Sequence, residues 1–165
     1  MKKVGALILA ALLVAAFVLF ALGSGSSGED TDLGTGDTAQ EDPSAGEIAD
    51  CTVNIDSCRL AKDWEGKAIV IVKYVFTNNK DEDQSFFLAF EDNVYQNGVG
   101  LNSCYMVDDS ANYSSDNQTK KIKKGATLEV EVAYELNDAT TDIEVEVEAL
   151  FSFDDSKITK TFPIA

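Results

Sequence analysis

Carboxylates are the side chains of this sequence most able to do chemistry by their spacing. One acidic stretch runs through Asp81, Glu82 and Asp83, another through Asp108, Asp109 and Asp116. Brought together at one end of a folded domain, Asp81, Asp83, Asp108, Asp109 and Asp116 would offer the several oxygens that a hard cation such as Ca²⁺ takes. No Asp-x-Asp-x-Asp-Gly run is present, which excludes an EF-type loop. Two ladders, Glu129/Glu131/Glu135 and Glu144/Glu146/Glu148, would share one exposed face if their strands are neighbours. Such a face either receives a cation or basic partner, or stays solvated and blocks edge-to-edge pairing. The expectation is no resident cofactor, with Ca²⁺ as the alternative.

Aromatic side chains form a second set. Trp64, Tyr105 and Tyr113 fall in or beside polar turn segments, where rings contact partners or sugars, or close the end of a domain by packing. Catalysis has little to draw on. The chain contains no histidine, so it lacks the commonest general base and every Ser-His or Cys-His pair. It has no Gly-rich phosphate loop, no Ser-x-x-Lys and no metal-spaced cysteine pair. A non-enzymatic protein is expected. The net charge of −16 argues against nucleic acid as a partner.

Cys51, Cys58 and Cys104 are the three cysteines. Cys51 and Cys58 fall on one predicted strand, about 23 Å apart if extended, whereas bridged Cα atoms lie within ~7 Å. A disulfide would therefore use Cys104, with Cys58 the better partner; three free thiols is the alternative. Such a bridge would add ~3–4 kcal/mol on the chain-entropy account.

The N-terminus locates the protein. Lys2 and Lys3 precede Val4 to Leu22, 19 residues without a charge. A helix over them reaches roughly 28 Å, near the ~30 Å of a bilayer core. Residues 1–23 are thus expected to be a signal peptide, or a membrane anchor through Val4–Leu22 if uncleaved. Either makes the protein extracytoplasmic, secreted or held at the cell surface. Residues 24–49 are Gly, Ser, Thr, Asp and Glu with hardly a large apolar side chain, and read as a disordered acidic linker. Its coil dimension is about 25–30 Å.

From Asp50 the apolar pattern takes a period of two. Cys51, Val53 and Ile55 begin it; Ala68–Phe76 is apolar on both faces and suits a central strand. Ser85–Phe90 and Leu101–Val107 are expected as strands, with Asn97-Gly98 as a hairpin turn between them. Asp108–Thr119 is a long polar loop. Leu128–Leu136, Ile143–Val147 and Lys157–Ile164 complete about seven strands, the pattern of an all-β antiparallel sandwich over residues 50–165.

Particular residues then fit a known pattern. Tyr74-Val75-Phe76-Thr77-Asn78-Asn79, Gln96-Asn97-Gly98-Val99, Gly125-Ala126-Thr127, Tyr134-Glu135-Leu136-Asn137-Asp138 and Leu150-Phe151-Ser152-Phe153 occur in that order. Over residues 50–165 the chain resembles the exported bacterial domain-of-unknown-function family numbered five thousand and sixty-seven. The resemblance implies an immunoglobulin-like sandwich of the kind found in surface lipoproteins. The chain departs from the lipoprotein pattern at Ser24, where a lipidated cysteine would stand. The expected function is an exported binding module for an envelope or extracellular protein. A ligand-free spacer and a Ca²⁺-dependent carbohydrate binder using Trp64 are the alternatives.

Overall fold

A computed structural model describes residues 44–151 and 156–164. The leader at 1–23 and all but the last residues of the expected linker lie outside the described residues. What is described is all-β apart from two short helices, with eight strands in two antiparallel four-stranded sheets. The first sheet has the order β1 (Ala45–Ile48), β2 (Cys51–Lys62), β3 (Ala68–Asn78), β6 (Thr127–Glu135). The second has β5 (Val99–Gly100), β4 (Phe90–Gln96), β7 (Ile143–Ala149), β8 (Lys157–Phe162).

The alternation read from sequence decides which side chains meet between the sheets. Val53 and Ile55 of β2, Val70, Val72, Tyr74 and Phe76 of β3, and Val130 and Val132 of β6 face Val94, Val145, Val147 and Ile158 of the second sheet. β3 is central, as its two apolar faces predict. Its outward residues Ile69 and Ile71 are buried with Ala133 and Cys104 beneath the segment that follows β5, in a second, smaller cluster.

β1 departs from the expected disordered linker, since residues 45–48 are paired strand. Ile48 is buried, and Ala49 and Asp50 take positive φ of 51° and 56° to make a two-residue hairpin onto Cys51–Asn54. A Cβ at Gly46 would lie 3.2 Å from the Ile158 side chain, a tight approach to which Ile158 would have to yield by a few tenths of an ångström. Asn97-Gly98 forms its hairpin as expected, with φ of 51° and 74° between Gln96 and Val99.

Two expected strands are not strands. Within Ser85–Phe90 the chain makes one helical turn, α1 (Phe86–Ala89), before β4 begins. A strand would put Phe86, Leu88 and Phe90 on one face. The core instead takes Phe86 and Phe90, four apart, and leaves Phe87 and Leu88 exposed, which is helical spacing. Leu101–Val107 forms no continuous ladder either. It touches β6 through a single bridge, Ser103 to Tyr134, then leaves that edge to reach Asp63 at the end of β2.

That excursion covers an exposed edge. Cys104 N–H donates to Ala133 O at 2.7 Å, and Glu135 N–H donates to Asn102 O at 2.8 Å. Farther along β6, Asn117 Nδ2 donates to Glu129 O at 2.9 Å and Gln118 Nε2 to Glu131 O at 2.6 Å. The edge that β6 would offer to another strand is thus occupied by the chain's own loop.

β6 and β7 are consecutive but belong to different sheets, so Asn137–Asp142 must cross the end of the sandwich. Asp138 organises the crossing. Its Oδ1 accepts from the N–H groups of Thr140 (2.8 Å) and Thr141 (2.7 Å), and these bonds hold its carboxyl at about 2, well below the ordinary 3.8. A depressed carboxyl pKa contributes stability that is whole above about pH 4 and is lost as pH falls towards 2. The melting temperature of the wild type is therefore expected to drop more steeply over that window than that of Asp138→Asn. Parallel curves in a pH series of thermal melts would contradict this assignment.

Candidate functional site

The sequence-derived carboxylate site does not assemble. Asp81 and Asp83 follow β3 and pair with Lys124 (2.8 Å) and Lys123 (3.4 Å). Asp108 donates its backbone N–H to Lys62 O, beside the start of β3. The two acidic loops lie at opposite ends of that 11-residue strand, a separation on the order of 35 Å. Each borders its own shallow hollow, the first with Glu47 and Asp50, the second with Asp109 and Asp116. Among the described residues no three His, Cys, Asp or Glu side chains are grouped to hold a metal ion.

The two glutamate ladders also part company. Glu129, Glu131 and Glu135 lie on the outer face of the first sheet, and Glu144, Glu146 and Glu148 on the outer face of the second, because β6 and β7 are not neighbours. Basic residues answer the first ladder. Arg59 pairs with Glu131 across β3 and donates to Ala111 O at 3.3 Å, and Lys73 reaches Asp56 at 2.9 Å and Glu129 at 3.6 Å. In the second ladder Lys157 pairs with Glu146 at 2.6 Å.

The expected bridge between Cys58 and Cys104 is absent; all three cysteines are free thiols. Cys58 packs against the core between the sheets, while Cys104 lies in the cluster on the outer side of the first sheet. A bond between them would have to pass through the sheet. Burial raises the pKa of each of the three thiols, which disfavours the reactive thiolate.

The aromatic candidates fare differently. Trp64 occupies the β2–β3 turn, where Asp63 Oδ1 accepts from Glu65 N–H and Lys67 N–H, and Gly66 takes φ of 84°. Trp64 N–H donates to Met106 O at 3.0 Å, so the turn is tied to the segment carrying Tyr105. Trp64 is 64% exposed, Tyr105 89%, Met106 62% and Phe87 62%, which puts four large apolar side chains in solvent. Tyr113 plays another part. Its ring packs on the outer cluster and its hydroxyl accepts from Gln118 Nε2 at 3.1 Å, so it supports the loop.

Between Tyr105 and Phe87 lies a cleft of about 140 Å³ that also borders Ser103, Gln118 and Val132. Its polar floor was not expected from sequence. Asp92 lies on β4 between the inward-facing Phe90 and Val94, and its Oδ2 accepts a hydrogen bond from Tyr134 Oη. Tyr74 Oη is fully buried next to this pair. Desolvation raises the Asp92 carboxyl above its ordinary range, against the opposing Tyr134 hydrogen bond, and lifts both tyrosines well above theirs. The detectable signal is Phe90-Glu91-Asp92-Asn93-Val94-Tyr95-Gln96, a period-two strand with Asp92 and Gln96 at core positions, which an expected strand ending at Phe90 leaves out.

Comparison with known proteins agrees with this architecture. The profile of the family described as Domain of unknown function (DUF5067) matches residues 26–149. No curated protein matches the chain. A Staphylococcus aureus protein described as a "putative lipoprotein" has a similar structure, with a TM-score of 0.56 and 18% identity over 73% of this chain and 92% of that one. An Enterococcus faecalis protein solved by NMR has a TM-score of 0.55 and 20% identity, over 74% of this chain and 90% of that one. At these identities the likeness establishes fold alone.

Proposed function

This chain belongs to the family of the domain of unknown function DUF5067, and on that premise we propose that it is an exported, immunoglobulin-like module of the cell envelope that acts by binding another protein. The observation that carries the reading is the exposed row Trp64, Met106, Tyr105 and Phe87. Trp64 is bonded to the Met106 backbone and Tyr105 shares a cleft with Phe87; grouped exposed apolar side chains mark interaction surfaces, and aromatic residues concentrate binding energy there. The row is held by backbone contacts, Trp64 to Met106 and Cys104 to Ala133, so little order has to be acquired on binding.

Export is supported by Lys2, Lys3 and the uncharged run Val4–Leu22. The description of the staphylococcal structure as a "putative lipoprotein" suits an extracytoplasmic place for this chain as well. The leader either keeps the module at the membrane or is removed to release it. We read the module as working without catalysis or a resident cofactor. The sequence contains no histidine, and its acidic loops are divided between two ends of β3.

The double variant Trp64→Ser/Tyr105→Ser is expected to melt within about 0.5 kcal/mol of wild type, because both rings are exposed. The same variant should lose roughly tenfold or more in affinity for the partner that the wild-type full chain, in mild detergent, retains from envelope extract. Unchanged retention with unchanged melting would place the binding face elsewhere on the domain, and a wild type that retains no partner would leave a spacer without a ligand as the better account.

A further inference from the structure

We propose that the cleft over Asp92 receives the side-chain ammonium of a lysine from the partner protein, its alkyl stem lying between Phe87 and Tyr105. This rests on the protein-binding reading above and names the chemistry of its central contact.

Three observations lead to the assignment. Asp92 occupies an inward position between Phe90 and Val94, yet among the described residues no lysine or arginine is paired with it. A carboxyl drawn out of water without a cation is costly. A ligand that brings the cation offsets that cost in the bound state. Tyr74 Oη, fully buried beside Asp92 and Tyr134, adds a hydroxyl and no cation to the surroundings of that carboxyl. The walls are apolar and aromatic where a hydrocarbon stem would lie, with Phe87, Tyr105 and Val132 in the lining, and the volume of about 140 Å³ suits a slender chain.

Charge and geometry select lysine. Residues 50–165 hold 22 acids against 11 bases, so the domain's field favours a cation. An arginine fork is best met by both carboxylate oxygens, and Asp92 Oδ2 is already engaged by Tyr134. An ammonium is a compact charge on a flexible four-carbon stem and is satisfied by a single-sided approach. The exposed rings would flank that stem and shield the charge pair from water.

The probe is Nα-acetyl-lysine methylamide, titrated into the ¹⁵N-labelled full chain in detergent and followed at the amides of Ser103, Tyr105 and Val132. Saturable shifts with Kd on the order of 1–10 mM are expected. Nα-acetyl-norleucine methylamide has a similar unbranched stem but no ammonium, and it should bind at least roughly tenfold more weakly. In Asp92→Asn, which keeps an acceptor for Tyr134, the lysine probe should lose a similar factor. Equal binding of the two probes to wild type would overturn the proposal without reference to any variant, as would an absence of saturation. If the lysine probe fails while Trp64→Ser/Tyr105→Ser still loses the partner, the ammonium site falls and the binding face stands. If the probe binds and no partner is retained, the site stands and the protein-binding reading falls.

Discussion

Phe86→Ala is expected to destabilise the sandwich by about 3–5 kcal/mol, lowering the melting temperature by roughly 10–20 °C. Phe86 is 1% exposed although it belongs to a single helical turn between the sheets. Its ring centroid lies 4.9 Å from Tyr74, 6.3 Å from Phe76 and 5.4 Å from Phe90, and the last two rings stand 5.6 Å apart. Tyr74 and Phe76 belong to the first sheet and Phe90 to the second, so Phe86 fills the junction between them. Alanine leaves a void there that β3 and β4, fixed by their ladders, cannot close. Phe87 next to it is exposed, and Phe87→Ala should fall within about 0.5 kcal/mol of wild type. Thermal melts of the two variants followed by far-ultraviolet circular dichroism make the comparison. Similar losses in both would mean that α1 does not seat its first residue in the core.

The second large effect is expected at Gln96. This amide is 1% exposed, and its hydrogen bonds all go to backbone of the β6–β7 crossing. Nε2 donates to Asp138 O (3.1 Å) and Thr141 O (2.8 Å), and Oε1 accepts from Asn137 N–H (2.8 Å) and Asp138 N–H (3.3 Å). Leucine fits the same space but leaves those backbone groups unanswered. Because the crossing lies near solvent, water recovers part of the loss, and Gln96→Leu should cost about 2–4 kcal/mol. Hydrogen exchange at Asn137–Thr141 should accelerate more than exchange in β3. Uniform acceleration would show that Gln96 acts through general packing and does not hold the crossing.

The contrast between these two positions shows what could be read from sequence. β2, β3, β6, β7 and β8 were legible because each buries one face, or both in β3, and the period of two records it directly. The hairpin at Asn97-Gly98 was legible because positive φ at successive residues selects those residue types. The hairpin at Ala49-Asp50 was not, since neither residue signals it and the preceding Ala45–Ile48 contributes just one large apolar side chain, Ile48. α1 was obscured by composition: Phe86-Phe87-Leu88-Ala89 suits a strand as well as a helix, and tertiary packing on Tyr74 decided the matter.

Sites were less legible than strands. Turn chemistry is a local property and marks Trp64 as part of an exposed turn, whereas Tyr105 is exposed although it falls within Leu101–Val107, which was expected as a strand. Whether the Asp81 and Asp108 loops meet depends on which end of a long strand each one joins, and nothing local encodes that. The same applies to Cys58 and Cys104, separated by the thickness of a sheet. Asp92 was missed because the expected strand ends at Phe90, although Asp92 continues the inward face two residues on.

The most direct test of the central claim, that this module binds through the Trp64–Tyr105 side, is photocrosslinking in intact cells. A benzophenone side chain would replace Tyr105 in one strain and Thr161, an exposed residue on the outer face of the second sheet, in another. The account predicts one discrete adduct from position 105, abolished by Trp64→Ser, and none of that mass from position 161. Matching adducts from both positions, or none from 105, would contradict it.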